Sequence, residues 1–176
     1  MKNNQATASG IPAANLASEA EAIDFKLATH LIRLMFNEPF YSHIFRSVKF
    51  IKTESIPTAG VLVKDGEIRM WWNPRFLASL TDDEIQGLLI HECWHIILQH
   101  TTSRRLDPHV IHNYAADLAI NSNIPENFLP KGGLIPGKAF DELTEEQIAM
   151  MGNEAFERYS RVSEKIASFP KGKSTE

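Results

Sequence analysis

Residues 80–101 read LTDDEIQGLLIHECWHIILQHT, and the run His91-Glu92-Cys93-Trp94-His95 inside them decides how the rest of the chain is read. On a helix, at about 100° per residue, His95 lies roughly 40° around the axis from His91 and one turn along it, and Glu92 lies roughly 60° from His95. Two imidazoles and one carboxylate can therefore face one cavity. That arrangement binds zinc through the two histidines and keeps the carboxylate beside it as a base, which points to metal-dependent hydrolysis. Random shuffling of this composition would give some HExxH in roughly 0.02 of chains, so the surroundings have to decide.

Those surroundings spell a helix. Thr81 can cap it while Glu84 reaches back as a capping box, and Asp82 and Asp83 suit the positive end of its dipole. The pattern predicts a helix continuing to about Thr101. With His91 at 0°, Leu89, Ile90, Cys93, Trp94, Ile96 and Ile97 fall between roughly 140° and 300°, so one face packs and the other carries the chemistry. Arg104-Arg105 and Asp107-Pro108 supply positive charge and a stop. Cys93, about 100° from Glu92, reads as core. Trp71, Trp72 and Trp94 read as packing residues, with Trp72, next to the turn into Asn73, able to line a cleft.

A catalytic zinc takes three protein ligands and leaves one position for water, so a third ligand must come from beyond His91 and His95. The candidates are His100, His109, His112, Asp117 and Glu126. On a straight helix His100 sits about 180° from His91, and no glycine follows to swing it back. Asn113, Asp117 and Asn121 form an i, i+4, i+8 polar stripe on a helix whose Ala115, Ala116 and Ala119 permit close helix contact. A solvated face would look the same. Spacing leaves Asp117, His109 and His112 in competition.

A chain of 176 residues, 43% of them hydrophobic, fits one domain with a real core. The formal charge of -4 gives no electrostatic case for nucleic acid. A single cysteine excludes an internal disulfide framework and agrees with a reducing compartment. Residues 1–16 carry no secretory signal pattern, and no segment has the roughly 18 apolar residues that span a bilayer. The expectation is a soluble, cytoplasmic protein without a membrane partner.

Three segments are expected: a flexible stretch over residues 1–17, a domain over 18–168 and a polar tail over 169–176. Ser18 and Glu21 form a second capping-box pattern, after which Ile23, Leu27, Leu31, Leu34 and Met35 repeat at helical spacing until Asn37-Glu38-Pro39. The aromatic-rich residues 39–50 read as a short helix. Residues 58–64 and 67–72 are β-rich and meet at Asp65-Gly66, a hairpin turn. A helical turn through Phe76, a helix over 108–121, a loop over 122–138 and helices over 144–151 and 153–167 complete the reading. The fold class is α+β, mostly helical with a small hairpin or sheet.

The run LLIHECWHIILQH, then Arg104-Arg105, then HNYAADLAIN, resembles a metallopeptidase domain that often precedes von Willebrand factor A-like domains in bacterial and phage proteins. Its pattern is HExxH, a histidine five residues later, an Arg-containing turn, and a helix bearing Asn-x-Ala-x-Asp with a trailing Asn. Here those residues are Asn113-Tyr114-Ala115-Ala116-Asp117 and Asn121. The similarity runs over residues 20–165 and is most specific over 88–121. It implies a minimal zincin-like fold, zinc as cofactor, and His91, His95 and Asp117 as its ligands. It also implies a protein or peptide substrate and, on resemblance alone, a von Willebrand factor A-like or ATPase partner. His112 stands where members often carry a bulky aromatic, and the chain ends before any von Willebrand-like domain.

On this reading the chain is an HExxH zinc metalloendopeptidase with Glu92 as general base. A catalytically silent, zinc-stabilised interaction module is the alternative; Glu92 counts against it, because a structural site needs no base. A helical domain with HExxH by chance is a third reading. SprT-like proteases pair HExxH with a distant histidine, but no His-Gly pair follows here. Tyr114, His112 and His109 are candidate oxyanion donors. An extended substrate is expected to pair with a sheet edge at residues 61–64 or 68–72.

Overall fold

A computed structural model describes residues 16–102, 109–131 and 133–134. In order come α1 (Glu19–Asp24), α2 (Leu27–Asn37), α3 (Pro39–Phe45), β1 (Val48–Lys52), β2 (Ala59–Lys64), β3 (Glu67–Trp72), α4 (Pro74–Leu77), α5 (Asp82–Ile97) and α6 (His109–Asn121), then a 3-10 turn at Glu126–Phe128. The fold is α+β. The expected helices over 144–151 and 153–167, the tail after 168, and Arg104-Arg105 lie outside the described residues.

The sheet is organised by the turn at Asp65-Gly66. Both residues take positive φ, 55° and 77°, the pair of left-handed residues that lets a two-residue loop match the twist of its strands. The turn fixes the antiparallel register Lys64↔Glu67 through Ala59↔Trp72. β1 then adds on the far side of β3, parallel to it, from Val48↔Ile68 to Lys52↔Trp72. β3 is therefore the central strand, and residues 68–72 are excluded as a docking edge; β2 and β1 are the edges among the described residues. β1 also corrects the expected helix over 39–50. Proline starts α3, which stops at Phe45, and Val48-Lys49-Phe50 alternates buried, exposed and half-buried, a strand period hidden by the aromatic crowding before it.

The single helix expected from Ser18 to Asn37 is two. The Ser18–Glu21 capping box is present, with Ser18 N–H donating to Glu21 Oε2 at 2.8 Å. Phe25, however, turns extended and stacks on His30 at 5.0 Å and against Trp72 at 5.8 Å, so aromatic packing over the sheet outweighs one more turn of helix. Ala17, expected to be flexible, is buried and tied to α4 by hydrogen bonds with Arg75.

α5 is the spine of the domain. Thr81 and Glu84 cap it reciprocally, worth about 1 kcal/mol. Arg33 of α2 pairs with Asp82 in its first turn. Leu88, Leu89 and Cys93 join the core with Leu34, Met70 and Leu77. The expected division into a packed and an open face is not kept, because Ile85, Gly87, Leu88, Leu89, His91, Glu92 and Cys93 are all buried. At Gly87 the 3-10 turn presses on the helix so closely that a Cβ would stand 2.0 Å from the Phe128 carbonyl oxygen. Trp72 is buried in the core, with Lys52 Nζ 5.9 Å from its ring centre, and not in a cleft.

α5 also stops earlier than Thr101. Gln99 takes φ 58°, its N–H donates to Ile96 O and the His100 N–H donates to His95 O, both at 3.1 Å. This is the paired closure of a helix whose C′ residue is left-handed, here with glutamine where glycine is usual. No helix among the described residues is long and apolar enough to cross a membrane.

Candidate metal centre

Two helices build the site. His91 and His95 are one turn apart on α5, and α6 brings Asp117 against them: its Oδ1 lies 3.0 Å from His95 Nε2 and 3.5 Å from His91 Nε2. The two Nε2 atoms are 3.0 Å apart. The three potential ligand atoms lie within 4.8 Å of one another, so His91, His95 and Asp117 could hold a metal ion. The stripe residue is thus turned inward against α5, and the solvated-face alternative for Asp117 is excluded by its burial.

The other candidates are elsewhere. His112 is half-buried, and its Nε2 donates to the His100 carbonyl at 3.3 Å. Glu126 is exposed on the 3-10 turn. His100 lies outside the ligand group, but not on the far side of the helix: the left-handed Gln99 returns it, and its Nδ1 stands 3.3 Å from His95 Nδ1. The side chains of His109 and Tyr114 lie outside the described residues.

One contributor was missed in the sequence. Asn121 Oδ1 is 2.7 Å from His91 Nδ1, while its Nδ2 donates to Leu134 O at 2.8 Å. With the amide so oriented, Oδ1 accepts the His91 Nδ1 proton and Nε2 is left to face Asp117. This is how a metal-binding imidazole has its tautomer and ring angle set. The signal is present in the sequence as the i+4 position after Asp117 on the polar stripe and as the trailing Asn of the family pattern, neither of which gives Asn121 a role.

Charge follows the packing. Burial disfavours a charged His91, yet the Asp117 carboxylate, with Glu92 and Asn121, reverses this and raises it to about 9. Burial works against the Asp117 anion too, but hydrogen bonds and charge from His91 and His95 hold it well below the usual carboxylate range. Glu92 moves the opposite way: burial raises it, Asp117 adds to the rise, and the two histidines and the Val61 N–H oppose it. Cys93 is a buried core thiol pushed up to about 12, chiefly by desolvation, with its Sγ 3.6 Å from the Tyr41 carbonyl. Beside His91 and Asp117, a cleft is lined by Leu88, Leu129, Pro130 and Leu134.

Two carboxylates in one buried site are therefore differentiated, one anionic and one with raised proton affinity. Such a pair can anchor a cation with the first and move a proton with the second.

A protein from Thermotoga maritima, named only as uncharacterized, is 30% identical over 99 residues, 54% of this chain and 25% of that protein. The matched stretch thus spans about a quarter of the relative's length. No solved structure matches the chain. The model of a family described as "Putative metallopeptidase domain" matches residues 24–168, and the chain, with its paired histidines and aspartate gathered at one point, belongs to that family.

Proposed function

We propose that the chain is a zinc-dependent HExxH endopeptidase with a minimal zincin-like domain, acting on a protein or peptide substrate. The observation that carries this reading is the meeting of His91, His95 and Asp117 beside the buried Glu92. Two imidazole nitrogens and one carboxylate oxygen suit zinc and match the three-ligand set of catalytic sites. When bound, zinc supplies Lewis acidity, bringing the pKa of water to about 7 and polarising a carbonyl.

The chain's own residues supply the rest. Asn121 holds the His91 ring by Nδ1, so Nε2 is the ligating nitrogen. Asp117 stays anionic and offsets the positive charge. Glu92, whose proton affinity is raised by burial, accepts the proton of the attacking water at its carboxylate and delivers it to the leaving amine. β2 borders α5 as an edge strand among the described residues, and its register turns the main-chain polar groups of Ala59, Val61 and Val63 away from β3, the Val61 N–H being given to Glu92. An extended peptide can add there through main-chain hydrogen bonds, which narrows the expected docking segment to 61–64. A cytoplasmic setting belongs to the proposal through the cysteine usage, and a von Willebrand factor A-like or ATPase partner through family resemblance alone.

The test is bound-metal content of protein purified without added metal, beside cleavage of a peptide library by the parent and by Glu92→Gln. Zinc in both proteins and cleavage by the parent alone is the expected outcome. Zinc in both with cleavage by neither favours the silent zinc-stabilised module. Equal cleavage by both removes Glu92 from its role.

A further inference from the structure

We propose that His100 is a positioning residue of this metal site, delivered by the left-handed turn at Gln99 to hold the His95 ring by its outer nitrogen, as Asn121 holds His91. The inference rests on the metal-binding reading of His91, His95 and Asp117. His95 Nε2 is 3.0 Å from both Asp117 Oδ1 and His91 Nε2, so this nitrogen faces the ligand group. Nδ1 then points outward, and at 3.3 Å it meets His100 Nδ1. A ligating imidazole with Nε2 given to a metal carries its proton on Nδ1, so His95 Nδ1–H donates to the bare Nδ1 of His100.

His100 is itself held. The His112 Nε2–H donates to its carbonyl at 3.3 Å, and the His112 ring meets the His100 ring edge-on, at 5.5 Å and 89°. Its backbone N–H closes the helix on His95 O at 3.1 Å. A straight continuation of α5 would carry His100 to the opposite side of the axis. Only the left-handed residue at Gln99, φ 58°, returns it to His95. Both motif histidines are thereby oriented from behind, His91 by a residue on the second helix and His95 by a residue just past the end of its own.

The test is zinc affinity of the full chain, measured by competition with a chromophoric chelator. His100→Phe keeps a ring and removes the acceptor; His100→Asn puts an amide oxygen near the Nδ1 position. Gln99→Val resists the left-handed conformation, and Gln99→Gly accepts it. Loss of an outer partner of a ligating histidine costs about 10–100-fold in metal affinity. That loss is expected for His100→Phe and Gln99→Val, with His100→Asn and Gln99→Gly staying close to the parent. Parent-like affinity in His100→Phe, or equal loss in His100→Asn and His100→Phe, overturns the proposal. Should His100→Phe fail to fold, nitrogen-15 spectra of the zinc-loaded parent decide: His95 must carry its proton on Nδ1, hydrogen-bonded to His100, and a bare Nδ1 overturns it. His91→Ala is measured alongside. If His91→Ala loses zinc while His100→Phe keeps it, the positioning role alone fails; if His91→Ala keeps zinc, the metal site fails and takes this role with it.

Discussion

Zinc uptake by the metal-free protein should expel a proton from His91, and the affinity should climb steeply between pH 7 and 9. Burial alone would make His91 easy to deprotonate, but the Asp117 carboxylate beside it keeps the proton bound up to about 9. A metal-bound imidazole must give up that proton. At pH 7, two pH units below its release, this costs about 3 kcal/mol. The apparent zinc constant should therefore rise about tenfold per pH unit, roughly 100-fold in all, and level off above pH 9. Stability of the metal-free fold runs the other way: with the folded value raised from 6.5 to about 9, the His91 contribution is complete below 6.5 and is lost as pH rises through 9. Asp117, lowered, contributes above the ordinary carboxylate range and loses its contribution in acid. Calorimetric titration at pH 7 in buffers of different ionisation enthalpy counts the protons. Asp117→Asn keeps the burial and removes the carboxylate, so it should release about one proton fewer per zinc than the parent. A parent affinity flat from pH 7 to 9, or identical proton release by the two proteins, would refute the reasoning.

A graded loss of zinc should follow the geometry: Asp117→Ala, removing one of the three proposed ligands, by about 10²–10⁴-fold, and Asn121→Leu, removing only a proposed orienting partner, by about 10–100-fold. His109→Ala should change little, and His112→Ala, which removes only a support of His100, should cost less zinc affinity than Asp117→Ala; a loss in either as large as that of Asp117→Ala would reassign the third ligand. Gly87→Ala should destabilise by up to about 2 kcal/mol, as overpacking of about 1–3 kcal/mol against the Phe128 backbone opposes about 1 kcal/mol of helix propensity; a higher melting temperature would contradict the close approach. Val63→Pro, at an outward-facing edge position, should slow peptide cleavage while leaving zinc content and the circular-dichroism spectrum intact, and unchanged cleavage in such a variant argues against strand addition.

The parts of the fold written in local chemistry were legible. Ser18–Glu21 and Thr81–Glu84 are capping boxes as read, and Asp65-Gly66 turns a hairpin as read. What failed were inferences that extended a local period past a tertiary event. Phe25 breaks the first helix to reach Trp72, and β1 leaves the aromatic run to pair with β3, a strand beyond its neighbour in sequence. At the site, helical spacing placed His91, Glu92 and His95 on one side but left Asp117 among rivals, because spacing within α6 carries no information on how α6 meets α5. Resemblance supplied that contact, and the geometry brings the three groups together. His100 was misplaced for a single reason: a glutamine occupies the left-handed position where only a glycine would have announced the turn.

The division of the site between α5 and α6 also has a consequence during synthesis. The Asp65-Gly66 hairpin needs no distant partner and can close in about 1–10 μs, so β2 and β3 are paired as soon as they clear the ribosome. His91 and His95 emerge next, on a helix that can already dock on that sheet. Asp117 and Asn121 come later: at about 5–20 residues per second, the stretch from His95 to Asp117 takes about 1–4 s to make. For that interval the growing chain presents two neighbouring imidazoles without the carboxylate that completes the set. On the metal-binding reading proposed above, metal captured then would meet only a half-site and exchange with the cellular pool, whereas metal captured after α6 docks would meet all three candidate ligands. Occupancy of the finished protein should accordingly follow the metal available at the close of translation, not the metal first encountered.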